Sequence, residues 1–116
     1  MNHRADVAAA NMPGIRSYSC YRCRTHVALH DHLISTDFQG PKGCAFLFSS
    51  AFNVRLGKRE YPQMMTGLFM VADVHCDDCH NVSGWRYLIA VEDSHKYKEG
   101  KFVIERLNIT EFGDED

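Results

Sequence analysis

Cys20-Tyr21-Arg22-Cys23 and Cys76-Asp77-Asp78-Cys79 are two copies of one short phrase, and they hold four of the five cysteines in the 116-residue chain. Two residues separate the thiols in each copy, a spacing that lets a tight turn direct both sulfur atoms toward one point. Each pair is therefore half of a tetrahedral site. The two pairs together predict a closed four-cysteine centre, the arrangement that structural zinc prefers.

Other roles for the paired cysteines stay open. A redox CxxC normally lies near a βαβ pattern, and neither copy opens a helix after a parallel strand. A secreted disulfide framework fits poorly with an odd number of cysteines and with the lack of a recognisable export signal. An iron–sulfur cluster also accepts four thiolates and is the main metal alternative. Four sulfur ligands leave no position for water, so the centre is expected to hold the fold together and not to perform chemistry.

Composition indicates one soluble globular domain with 45% hydrophobic and 24% charged residues. The net charge of −2 gives no electrostatic argument for nucleic-acid binding. No apolar run approaches the roughly 20 residues that cross a bilayer, so no membrane association is expected. Paired reduced thiols without an export signal favour the nucleus and cytoplasm as the location.

The chain divides into a β-rich body and two terminal segments. Residues 1–16 lack a clear amphipathic period and are expected to form a flexible N-terminal arm, and residues 111–116 an acidic C-terminal tail. Between them, short β-branched and aromatic runs separated by turns predict seven or eight strands in a small antiparallel sandwich or open barrel. Residues 102–109 also fit helical spacing, so a last helix is the alternative there.

Five side chains near the pairs need an interpretation. His26 and His75 are expected to orient or shield the sulfur atoms, because four thiolates already complete a tetrahedron. Cys44 has glycine and apolar neighbours and no evident base, so a reactive thiol is not expected. Trp85 and Tyr87 project to one face of a strand, either as core or as the wall of a pocket for a small ring or a cation.

Further short sequence motifs resemble those of a known protein family. In chain order they are Tyr18-Ser19-Cys20 with Cys23; Thr25-His26; Leu33-Ile34-Ser35; Gly43 with Ala45 and Leu47-Phe48; Asn53-Val54; Thr66-Gly67; Val71-Ala72-Asp73; Cys76 with Cys79; Gly84-Trp85 with Tyr87; and Lys96-Tyr97-Lys98-Glu99-Gly100-Lys101. In this order they resemble the yippee-like proteins over about residues 17–110, which is nearly the whole domain.

The resemblance implies a fold. Yippee-like proteins are expected to form an all-β β-tent, in which two antiparallel sheets meet at an angle and zinc pins them together. The zinc ligands would be Cys20, Cys23, Cys76 and Cys79. The same fold is shared by the thalidomide-binding domain of cereblon and by B-type methionine sulfoxide reductases.

Those relatives set up competing functions. The reductases need a redox cysteine in the C-terminal half, and none follows Cys79 here, so no enzymatic activity is expected. A cereblon-type domain binds cyclic imides in an aromatic cage. Trp85 and Tyr87 match one wall of it, while Met65 and Val71 stand near where the other tryptophans would be. An altered pocket for a small cyclic or cationic ligand is therefore the alternative hypothesis.

The first functional hypothesis is a protein–protein interaction module. Proteins that the chain resembles are tied to cell-cycle structures and to a multi-subunit ubiquitin ligase, which implies a protein partner such as a ligase subunit. An interaction module of this kind should expose an apolar surface or a strand edge away from the metal.

Overall fold

The computed structural model of the chain describes residues 3–10, 12, 14–64 and 67–113. Within these residues there is one α-helix, α1 (His3–Ala10), and there are short 3₁₀ turns at His30–His32, Asp93–Lys98 and Arg106–Asn108. The described strands are β1 (Ser17–Cys20), β2 (His26–Leu29), β3 (Leu33–Gly40), β4 (Gly43–Phe48), β5 (Val54–Glu60), β6 (Gln63–Met64), β7 (Gly67–Cys76), β8 (Val82–Ala90), β9 (Phe102–Glu105) and β10 (Ile109–Phe112).

The strands form two antiparallel sheets. The smaller sheet has the order β10-β1-β2, and the larger has the order β3-β4-β9-β8-β7-β5, with the two-residue β6 paired to β7. The prediction of an all-β fold with two antiparallel sheets is confirmed. The helical alternative for residues 102–109 is wrong, because β9 and β10 occupy this region with a single 3₁₀ turn between them.

The larger sheet buries side chains on both of its faces. Phe48, Val74 and Ile104 on one face pack against Tyr18 and Val27 of the smaller sheet. The opposite face has its own buried cluster, which consists of Ala45, Leu47, Phe69, Val71, Tyr87, Ala90 and Val103. Because successive strand residues point to opposite faces, the alternation along β4 and β9 supplies both clusters.

His3–Ala10 form α1, within the stretch 1–16 for which the sequence indicated a flexible arm. α1 lies on β2, and the fully buried Ala10 packs with Leu29 and Phe52. Small alanine side chains let the helix approach the sheet closely, and this contact outweighs the weak amphipathic pattern. At the other end, residues 111–112 complete β10, and residues 114–116 of the expected acidic tail lie outside the described residues. None of the described helices is long and apolar enough to span a bilayer.

Candidate metal centre and adjoining cleft

The first cysteine pair lies in a tight turn at the end of β1. The backbone N–H of Arg24 donates to the Cys20 carbonyl at 2.8 Å, and the Cys20 N–H donates to the Thr25 carbonyl at 2.8 Å. Arg24 closes the turn with φ at +68°, a left-handed conformation that few non-glycine residues adopt. The turn thereby brings Cys20 and Cys23 to the same side of the backbone.

The second pair, at the end of β7, repeats this geometry. His80 N–H donates to the Cys76 carbonyl at 2.8 Å, and Cys76 N–H donates to the Asn81 carbonyl at 2.8 Å. His80 has φ at +65°, matching the conformation that closes the first turn. One turn comes from the smaller sheet and the other from the larger, so a shared metal ion would join the two sheets.

The four sulfur atoms converge. The Sγ atoms of Cys20 and Cys79 are 3.6 Å apart, those of Cys23 and Cys76 are 3.5 Å apart, and all four lie within 4.8 Å of one another. Zinc–sulfur bonds of ~2.3 Å in a tetrahedron place neighbouring sulfur atoms about 3.8 Å apart. The distances are too long for disulfides, and all four thiols are free. The cluster therefore fits a tetrahedral metal ion bound by four thiolates.

The cysteines differ in their surroundings. Burial raises the pKa of Cys20 and raises the pKa of Cys76 to about 12. For Cys23, burial also acts upward, but hydrogen bonds with the Thr25 hydroxyl and backbone outweigh it and lower the pKa to about 7. A metal ion bound here must displace protons from buried thiols, so its affinity falls on acidification.

Asn53 links the elements around the centre, a role that sequence reasoning missed. Its side-chain Nδ2 donates to the backbone carbonyl of His26 at 2.9 Å, and its own backbone carbonyl accepts from the Asp77 N–H at 2.9 Å. The residue adopts φ at +56°, a region in which asparagine is enriched. His75 lies on β7 just before the second turn, with Nδ1 3.3 Å from the His80 carbonyl oxygen, whereas the His26 ring hydrogen-bonds to Ser17.

We expect Asn53→Ala to destabilise the metal-loaded protein by about 2 kcal/mol, since it removes a part-buried hydrogen bond and places alanine in a left-handed conformation that asparagine tolerates better. Asn53→Gly accommodates the left-handed backbone conformation and loses only the side-chain hydrogen bond, so it should cost about 1 kcal/mol of stability. Urea unfolding at saturating zinc measures both. Equal stability of the two variants would contradict the conformational part of this explanation.

A cleft of about 840 Å³ opens on the face of the larger sheet that is turned away from the smaller sheet. Val71, Trp85 and Tyr87 all line it, and the rings of Trp85 and Tyr87 meet edge to face at 6.4 Å. Met65, the fourth residue that the sequence indicated, lies outside the described residues. That these residues bind a ligand stays a prediction.

The chain's own Lys98 occupies the aromatic surface beside this cleft. Its ammonium nitrogen lies 5.2 Å from the ring centre of Phe69, 5.3 Å from Phe38 and 5.6 Å from Tyr87, with Tyr97 at 5.8 Å. Only 5% of Lys98 is exposed, and burial lowers its pKa. No local pattern in the lysine-rich segment 96–101 indicates which lysine turns inward.

The fold and the sulfur cluster define a small all-β domain whose two sheets meet at a four-cysteine metal centre. Residues 17–113 match a family model described as Yippee zinc-binding/DNA-binding/Mis18, centromere assembly. The chain belongs to this yippee family, which confirms the resemblance found in the sequence.

Individual proteins and a solved structure are also similar to this chain. A yippee-like protein of Arabidopsis thaliana is 53% identical over 96 residues, covering 83% of this chain and 91% of that protein. Yippee-like 3 of Homo sapiens is 53% identical over 90 residues, covering 78% of this chain and 76% of the relative. The crystal structure of the Mis18 "Yippee-like" domain matches with a TM-score of 0.69 over 88% of this chain and 99% of that one, at 14% identity, which supports the fold alone.

Proposed function

We propose that this chain is a zinc-binding, non-enzymatic protein-interaction module. The family description names zinc, and four clustered thiolates are the donor set that structural zinc prefers. When bound, zinc supplies a tetrahedral cross-link between the two cysteine turns. Four sulfur donors would fill its coordination positions and leave none for a reacting water.

The observation that carries the interaction role is an exposed apolar patch on β7 and β8. The patch consists of Leu68, Met70, Ile89 and Val91. Met70 pairs directly with Ile89, and the Val91 N–H donates to the Leu68 carbonyl at 3.2 Å, so the four side chains are neighbours on one face. Val91 is 52% exposed, Leu68 and Ile89 are also exposed, and Met70 is half-buried. Contiguous exposed apolar side chains of this kind mark protein-binding surfaces.

The apolar patch lies far from the metal centre. Leu68 is at the start of β7 and Cys76 is at its end, so they are about 26 Å apart at about 3.3 Å per residue. A partner bound to the patch would therefore not touch the metal. We propose subunits of a multi-subunit ubiquitin ligase as the partners, with the protein acting as an adaptor in the nucleus and cytoplasm.

Ile89→Glu should abolish partner binding without unfolding the domain, because the charge is added where the side chain already meets solvent. We expect co-purification of ligase subunits from cells to fall at least tenfold, the effect of losing about 1.4 kcal/mol of binding energy. Leu107→Glu is the matched control, since Leu107 is 66% exposed and lies in the turn before β10. Equal recovery of ligase subunits with the unaltered protein, Ile89→Glu and Leu107→Glu would exclude the patch as the interface.

A second candidate function is small-molecule recognition in the cleft. The volume of the cleft lies within the usual ~300 to 1,000 Å³ of ligand sites, and the walls of the cleft combine Trp85 and Tyr87 with a few polar groups. The cleft and the apolar patch involve different side chains, so the two functions can be tested separately.

A further inference from the structure

Lys98 is a buried cation that lacks a counterion. Within the described part of the chain the ammonium group forms no ion pair and no hydrogen bond, and aromatic rings surround it. Cation–π contacts offset some of the desolvation of an ammonium group, but they supply no counterion. The depressed pKa of Lys98, caused by burial, reports the same deficit. A hydrogen-bond acceptor from outside the chain would provide the counterion that Lys98 lacks.

Trp85 contributes a second polar group beside the same cleft. Burial raises the pKa of Tyr87, and the solvent-shielded indole Nε1 of Trp85 acts on the Tyr87 hydroxyl in the opposite direction, although the two groups do not reach normal hydrogen-bond geometry. Trp85 and Lys98 both line the cleft, and both contact the ring of Tyr87, from 6.4 Å and 5.6 Å respectively. An almost fully buried lysine without a counterion is uncommon in folded proteins, and its position in the wall of a cleft indicates that the missing group is an anionic acceptor.

We propose that the cleft binds a small planar organic molecule that carries one carboxylate, which pairs with the Lys98 ammonium. This inference rests on the second candidate function. A carboxylate complements Lys98 in charge and supplies acceptor oxygens, and the flat body of the ligand can pack on Trp85 and Tyr87. A methylated ammonium ion would compete with Lys98 for the same aromatic faces.

The rim of the cleft limits the ligand to a single negative charge. Asp37, Glu60 and Asp73 also line the cleft, and all three are exposed. Water and salt screen their repulsion of an anion, whereas the attraction between a carboxylate and the buried Lys98 is screened far less. A second carboxylate at the far end of the ligand would lie near these acids and be disfavoured.

The test uses the indole N–H signal of Trp85, which is the only tryptophan of the chain and therefore gives one resolved NMR peak. The zinc-loaded protein is titrated with 2-naphthoate, 2-naphthamide, 2,6-naphthalenedicarboxylate and trimethyl(2-naphthyl)ammonium. We expect 2-naphthoate to shift the peak saturably and to bind at least tenfold more tightly than each of the others. Lys98→Met, which keeps the length of the side chain and removes the charge, should weaken 2-naphthoate binding at least tenfold, and Lys101→Met should not.

Three outcomes would overturn the proposal. Tighter binding of the ammonium probe would show a cation site, and equal binding of naphthoate and naphthamide would show a small-molecule site that does not select a carboxylate. Absence of binding by every probe would remove both the carboxylate proposal and the small-molecule function beneath it. If Lys98→Met loses its zinc or its dispersed NMR spectrum, the comparison of the four probes on the unaltered protein decides.

Discussion

Cys79→Ser is expected to yield a protein that binds no metal and has no cooperative unfolding transition. Structural zinc contributes roughly 10 to 16 kcal/mol in small domains, which equals or exceeds the ~5 to 15 kcal/mol that stabilises a whole folded domain. Here the metal would also join turns from two different sheets, so its loss should separate β1 from β7. Zinc content by mass spectrometry and urea unfolding followed by Trp85 fluorescence measure the effect.

Cys44→Ser is the matched control, because it makes the same chemical change at an exposed cysteine on β4, outside the sulfur cluster. It should keep one zinc ion per chain and its urea midpoint. A soluble Cys79→Ser protein that folds cooperatively without metal would contradict the structural role of the centre. Iron in place of zinc in the purified protein would instead support the iron–sulfur alternative.

The metal centre and the β-fold could be predicted because their signals are local. The spacing within each CxxC pair determines a turn, and the turns at Cys20 and Cys76 indeed have matching hydrogen bonds and matching left-handed residues. Pairing of the two turns across the chain then follows from the preference of zinc for four ligands. Trp85 and Tyr87 could likewise be placed on one face, because strand residues two apart share a face.

The features that escaped prediction depend on contacts between distant segments. Nothing near Lys98 in sequence distinguishes it from Lys96 or Lys101, and the ring partners Phe38 and Phe69 come from β3 and β7. α1 was missed for a related reason: its helix is held by β2 through the buried Ala10, and a lone alanine gives no periodic signal. Tertiary packing decided both cases against the local pattern.

Gly84→Ala is expected to destabilise the domain by about 3 kcal/mol or more, although glycine in a strand is ordinarily a weakness that alanine improves. Gly84 lies in the middle of the larger sheet, paired with Val74 on one side and Ile104 on the other. A Cβ atom at this position would stand 1.9 Å from the carbonyl oxygen of Val103 and 2.9 Å from its carbonyl carbon. Backbone atoms cannot turn aside, so β8 and β9 would have to separate.

Gly57→Ala is the matched control, because its nearest contact would be the imidazole of His75 at 2.8 Å, a side chain that can rotate away from the edge strand β5. It should change stability by less than about 1 kcal/mol. Urea midpoints of both variants at saturating zinc make the comparison. Because Gly84 directly precedes Trp85, separation of β8 from β9 should also shift the Trp85 indole resonance, which Gly57→Ala should leave in place. A Gly84→Ala protein as stable as the parent would mean that β9 lies farther from β8 than the structure shows.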